Sequence, residues 1–124
     1  MIKTKNFNPV VDVKILCTCG HVDCDKRSVN QETLNRVQLV REKVNRGLVV
    51  TSGGRCKNHP SELCRITPAD HQKGYGIDIK VSGGFQRGQI VKVGLECGFN
   101  AIGIAKNFVH LGYRENNQLV MWVY

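Results

Sequence analysis

The hydrophobic period of the chain changes several times, and each change marks an element. Val11, Val13 and Ile15 alternate with Asp12 and Lys14, a period of two that predicts a strand from Val10 to Leu16. The period then lengthens. Ser28-Val29-Asn30-Gln31 reads as a capping box, with serine at the cap and glutamine three residues on. Behind it Leu34, Val37, Val40 and Val44 form one helical stripe. Arg41 falls at its edge, and Asn35, Gln38, Glu42 and Lys43 lie off it. Gly47 is the expected helix stop.

Leu48-Val49-Val50-Thr51 is nearly all apolar and predicts a buried strand that ends at Ser52-Gly53-Gly54-Arg55. Residues 56–70, with Asn58, Pro60, Ser61 and Pro68, predict loop. Ile77 and Ile79 flank Asp78 in another short alternating run. After the turn at Ser82-Gly83-Gly84, a shorter helix is expected from about Arg87 to Cys97, with Gly98 as its stop. Three short strands close the chain, around residues 101–104, 108–111 and 119–123, and residues 112–117 suit a hairpin between the last two. In the second of these strands His110 shares a face with Phe108, and Val109 with Leu111. The sum is an α+β fold, a small antiparallel sheet packed with one longer and one shorter helix, in one domain over residues 1–124.

Composition adds a charge. The net charge is +8 and the isoelectric point about 9.4, which favours acidic partners such as nucleic acid, anionic membrane surfaces or anionic wall polymers. No apolar run approaches the ~18 residues of a membrane span. Asp12 and Lys14 interrupt the N-terminal apolar run, so it does not read as a signal peptide. A nucleic-acid-binding domain is a third-ranked reading, because the aromatic residues form no stacking series with the basic ones. A monomer is the default expectation.

Cys17, Cys19, His21 and Cys24 crowd into one short loop that could hold a structural zinc, though at tighter spacing than paired knuckles. Disulfides within that cluster, a Cys56–Cys64 disulfide and buried free thiols are the alternatives, and no pairing is assigned.

The sharper chemistry lies later. His71 precedes Asp78 by seven residues, with a turn between them and a strand around the aspartate. Imidazole and carboxylate are a zinc-type donor set, and His110 is the best third ligand. Arg55, exposed at a strand end after two glycines, is either an ordinary surface charge or a group that binds an anion or carbonyl.

Three segments together, Ser52-Gly53-Gly54-Arg55-Cys56, His71-x6-Asp78 and Gly103-Ile104-x3-Phe108-Val109-His110, resemble the zinc D-Ala-D-Ala carboxypeptidase family, which includes phage endolysin peptidases and shares its fold with the hedgehog signalling domain. The resemblance covers roughly residues 17–124. It implies that His71, Asp78 and His110 hold Zn2+, that Arg55 binds and polarises the substrate carbonyl or holds a carboxylate, and that Ser52 shapes the same loop. It also implies hydrolysis of a peptide bond in the peptidoglycan stem peptide, on the cell wall after release or export. The chain departs from the family pattern around the third ligand. Relatives often carry an acid two residues after it, here Gly112, or three residues before it, here Asn107. Ala69 replaces a serine, and Gly76 replaces an alanine. Glu115, Asp70 and His59 are the candidate replacements for the missing general base. The alternative is a degenerate domain that binds zinc and the wall, or another partner, without cutting.

Overall fold

A computed structural model describes residues 1–124. It is α+β, with three helices and five strands: α1 (Gln31–Val44), β1 (Val50–Ser52), α2 (Asp70–Lys73), β2 (Gly76–Lys80), α3 (Gly83–Glu96), β3 (Ala101–Ile104), β4 (Phe108–Gly112) and β5 (Val120–Val123). The strand order is β1-β2-β4-β3-β5. The first three pairings are antiparallel, and β5 runs parallel to β3.

Period-two alternation gives the sheet two different faces. Ile77, Ile79, Ile102, Val109 and Leu111 point into the hydrophobic core, where Leu34, Val37 and Val40 of α1 and Ile90 of α3 meet them. Asp78 and His110 point the other way and stand directly opposite each other in the β2–β4 register. The helical stripe expected from Leu34 to Val44 is buried along its whole length.

Four local expectations are corrected. The N-terminal strand is absent. Val10, Val11 and Val13 are exposed, and only a single 3-10 turn, Val13–Ile15, forms there. Asn8 and Asp12 explain this: their side chains accept backbone N–H bonds from Val10 and Asn8, so they satisfy the chain locally in turns. Secondly, Ser28 does not cap α1. It is held in an antiparallel bridge to Leu16, and Asn30 caps instead by accepting the Thr33 N–H at 2.8 Å. Asn45, in the left-handed region, ends the helix two residues before Gly47. Thirdly, α3 starts at Gly83 rather than near Arg87, so α1 and α3 are both 14 residues long. Finally, β4 and β5 do not form a hairpin. Both edges of β4 are already taken by β2 and β3, so the chain crosses to the free edge of β3. Asn100 pins that crossing, accepting from Arg114 N at 2.7 Å and donating to Arg114 O at 2.8 Å.

Candidate metal centre

Three elements deliver one donor atom each to a single point. Asp78 comes from the middle of β2 and His110 from the middle of β4. His71 comes from α2, a single helical turn within the stretch read as loop and turn, and Gly74 ends that turn in the left-handed region at φ +80°. His110 Nδ1 lies 2.9 Å from Asp78 Oδ1 and 3.2 Å from His71 Nε2, and His71 Nε2 lies 3.2 Å from Asp78 Oδ1. All three residues are buried.

The outer hydrogen bonds decide which lone pairs face inward. His71 Nδ1 sits 2.7 Å from the Gly53 carbonyl oxygen, which can only accept, so Nδ1 carries the proton and Nε2 turns a lone pair inward. His110 Nε2 sits 3.0 Å from Asp70 Oδ2, so with its proton there its Nδ1 likewise turns a lone pair inward. Two imidazole lone pairs and a carboxylate oxygen then crowd one point, an arrangement that repels itself unless a cation or proton stands between them. The sides of the triangle are close to the ~3.3 Å that separates ligands in a tetrahedral site with bonds of about 2.0 Å. The donor set therefore fits a zinc ion.

Asp70 does not face that point. Its carboxylate lies behind the His110 ring and is gripped by Arg114, with Nε–Oδ1 at 3.2 Å and Nη2–Oδ2 at 3.3 Å. Two opposed glycines make this possible. Gly76 and Gly112 are register partners on β2 and β4. A Cβ on Gly112 would come within 2.8 Å of Asp70 Oδ2 and 2.9 Å of His110 Nε2, and one on Gly76 within 2.7 Å of His110 Cε1. Two of the positions at which the chain departs from the family pattern it resembles, Gly76 and Gly112, thus leave the room in which Asp70 reaches the imidazole. A carboxylate–histidine pair of this kind orients a ligand and raises its basicity.

Electrostatics follow from these contacts. Burial works against the Asp78 carboxylate, but the bonds and charges of His110 and His71 outweigh it and hold its pKa well below the usual carboxylate range. Asp70 is likewise buried yet lowered, by His110 and Arg114. Burial opposes a charged His110 too, and its two carboxylate partners overcome that and raise its pKa.

The centre opens into a cleft of about 440 Å³. Arg55, Arg65 and Arg114 line it together with Phe108, Trp122 and Tyr124, and the Arg114 guanidinium lies 5.6 Å from the centre of the Trp122 ring. Arg55 donates from Nε to Ser52 Oγ at 3.0 Å and reaches Asp78 Oδ2 and Glu62 Oε2, each at 3.5 Å. Ser52 thus braces the arginine from the end of β1. Glu115 is exposed and lines an adjoining depression with Lys73 and Arg114 rather than the cleft itself. His59 has its pKa lowered by burial and by the charge of Arg55.

The model of the peptidase M15 family matches residues 8–112. The chain belongs to that family. M15 peptidases are zinc-dependent, and His71, Asp78 and His110 are the residues of this member that could hold the metal. No curated protein matches the chain.

Sequence reasoning missed Glu62 in this M15 site. It is buried at 2% exposure, and one of its oxygens, Oε1, has no hydrogen-bond partner. Its one sequence signal was the spacing to Arg55 and Arg65, seven residues before it and three after, in a segment read as loop. Arg114, Trp122 and Tyr124 were missed as cleft residues because only the crossing of β5 to β3 carries them there.

Proposed function

We propose that the chain is a zinc peptidase that hydrolyses a peptide bond in the peptidoglycan stem peptide, as a D,D-carboxypeptidase or an endolysin-type endopeptidase acting on the wall after release or export. One observation carries the reading: three inward-facing donor atoms meet beside an open cleft lined by arginines. A bound zinc ion would supply Lewis acidity toward the scissile carbonyl and acidify the attacking water.

The side chains do the rest. Asp70 fixes the tautomer and angle of His110, and the Gly53 carbonyl does the same for His71. Arg55 stabilises the developing oxyanion. Its 3.5 Å contacts to Asp78 and Glu62 are long for charge-assisted bonds, so donors remain for the substrate. Arg65 and Arg114 suit the carboxylates of an acidic peptide, and the aromatic wall suits its apolar parts. The family pattern's acid is absent at positions 107 and 112, and Asp70 is committed to His110 and Arg114. Glu62 beside Arg55, His59, and Glu115 in the adjoining depression are the nearby groups to test for proton transfer. The group responsible is the one whose substitution in the series Glu62→Gln, His59→Ala and Glu115→Gln lowers kcat by ~10²–10⁴.

The missing acid also supports a second reading, a domain that binds zinc and wall peptide without cutting. Mass spectrometry of purified peptidoglycan digested by the zinc-loaded chain, with His71→Ala as control, separates the two. New fragments from the unsubstituted chain alone establish the peptidase, and their masses name the bond. No fragments from walls of several chemotypes, with zinc still bound, sink hydrolysis and leave the binding domain.

A further inference from the structure

Four of the six cysteines converge at a second place. The Sγ atoms of Cys17, Cys19, Cys24 and Cys56 all lie within 4.8 Å of one another, and Cys19 and Cys56 are 3.5 Å apart. Cys17 and Cys56 are buried, and Cys19 and Cys24 are half-buried. His21, the nitrogen donor of the tight loop, is not among them. It is exposed, and its Nδ1 accepts the Asp23 N–H at 3.0 Å. Cys56 arrives in its place from 37 residues beyond Cys19.

We infer that Cys17, Cys19, Cys24 and Cys56 form a second, structural zinc site that staples the N-terminal loop to the segment carrying Arg55. Thiolates on a tetrahedral zinc with bonds of about 2.3 Å stand ~3.8 Å apart, and the four sulfurs are already near that spacing. A disulfide would join two of them and leave two more thiols packed against it, whereas one ion satisfies all four. The backbone is shaped for a metal knuckle. Lys26, in the left-handed region at φ 52°, donates its N–H to Cys24 Sγ at 3.3 Å, which stabilises charge on that sulfur. Cys17 is anchored by its own N–H to Arg27 O at 2.9 Å.

Apart from a few hydrogen bonds and the Arg27–Asp25 pair, the loop has little else to hold it together. Residues 17–27 contain no helix or strand, and Val22 is 91% exposed. Neither Cys17 nor Cys56 belongs to the hydrophobic core cluster. A segment with so little apolar burial needs a covalent or metal staple. The consequence reaches the cleft, because Cys56 follows Arg55 directly. Arg55 N–H bonds to His71 O at 3.2 Å, and Gly54 N–H bonds to Ile15 O at 2.9 Å. A metal that fixes Cys56 therefore steadies the turn whose Gly53 carbonyl orients His71 and whose next side chain is Arg55. With all four sulfurs bound the site has no open position, so its role is structural.

The test uses the full chain, expressed with zinc and dialysed against metal-free buffer. Elemental analysis should give two zinc ions per chain for the unsubstituted protein and for Cys64→Ser, a cysteine outside the cluster, and one for Cys19→Ser. The His71→Ala chain should retain one zinc. Reloaded with Co2+, it should show the thiolate-to-cobalt charge-transfer absorption of a tetrathiolate site. These readouts do not depend on hydrolysis, so failure of the peptidase reading leaves them intact. Nor do they require Cys19→Ser to fold, because His71→Ala carries the decisive spectrum. A His71→Ala chain with no thiolate–cobalt band overturns the inference. So does a titration of the unreduced, denatured chain that finds four thiols instead of six, which would reveal a disulfide.

Discussion

The two clusters are built in opposite ways. Asp78 and His110 stand on neighbouring strands in the middle of the sheet, and their backbone positions are set by ladder hydrogen bonds and by Ile77, Ile79, Val109 and Leu111 on the opposite face. The cysteines stand on loops, tied by a handful of backbone bonds. The first site keeps a cleft beside it and offers three donors, which leaves room for a reactant. The second offers four and leaves none. A scaffold that is rigid without metal suits chemistry at the metal, because its ligands stay in place while a fourth position is exchanged. A scaffold that needs the metal suits architecture, because the binding energy is spent on holding the chain.

The largest way to break this contrast is to remove one ligand from each site. His71→Ala should reduce release of peptidoglycan fragments to background while leaving a cooperative thermal transition, since the strands hold without it. Cys19→Ser should do the reverse in emphasis, lowering stability by about 4 kcal/mol if zinc is held ~1,000-fold above its Kd, as read by chemical denaturation. If His71→Ala unfolds the chain and Cys19→Ser does not, the roles assigned here are exchanged.

A smaller effect sharpens the comparison within the first site. Asp70→Asn should keep the shape but weaken the acceptor behind His110, costing ~10–100-fold in zinc affinity there, measured by competition with a chromophoric chelator. Gly112→Ala should act in the same direction by displacing the Asp70 carboxylate. Neither change should alter the thiolate–cobalt absorption, because the cysteine cluster shares no ligand with this site.

The smallest effect concerns the surface of the cysteine loop. Arg27 bonds Asp25 at 2.6 Å and holds its carboxyl below the usual range. A lowered folded pKa means that this pair stabilises the protein above the unfolded value of about 3.9, and that the contribution fades as pH falls through and below it. Asp25 is exposed and Arg27 half-buried, so solvent screens the pair and Asp25→Asn should cost only ~0.2–1 kcal/mol at pH 7 and less at pH 3, as read from thermal melts at the two pH values.

Much of this architecture was legible in the sequence. The α1 stripe, the apolar flanks of Asp78 and the alternation around His110 each follow from one-dimensional periodicity, and the α+β class follows from them. The three histidine and aspartate positions were legible through donor type and the family resemblance. Local bonding competed with pattern elsewhere. Alternation at residues 10–16 looked like a strand, but Asn8 and Asp12 hydrogen-bond the nearby backbone and fold it into turns. Ser28 looked like a cap, but its backbone was already engaged with Leu16.

By itself, then, the sequence determined the core, the sheet's two faces and the residue types able to take a metal, because these depend on period and side-chain chemistry. Tertiary structure alone decided that Asp70 supports His110, that Cys56 replaces His21 beside the other cysteines, and that β5 brings Trp122 and Tyr124 to the cleft. Each is a contact between segments distant in the chain. Such contacts depend on which strand edges remain free and on where Gly76 and Gly112 leave room, and no local pattern records either.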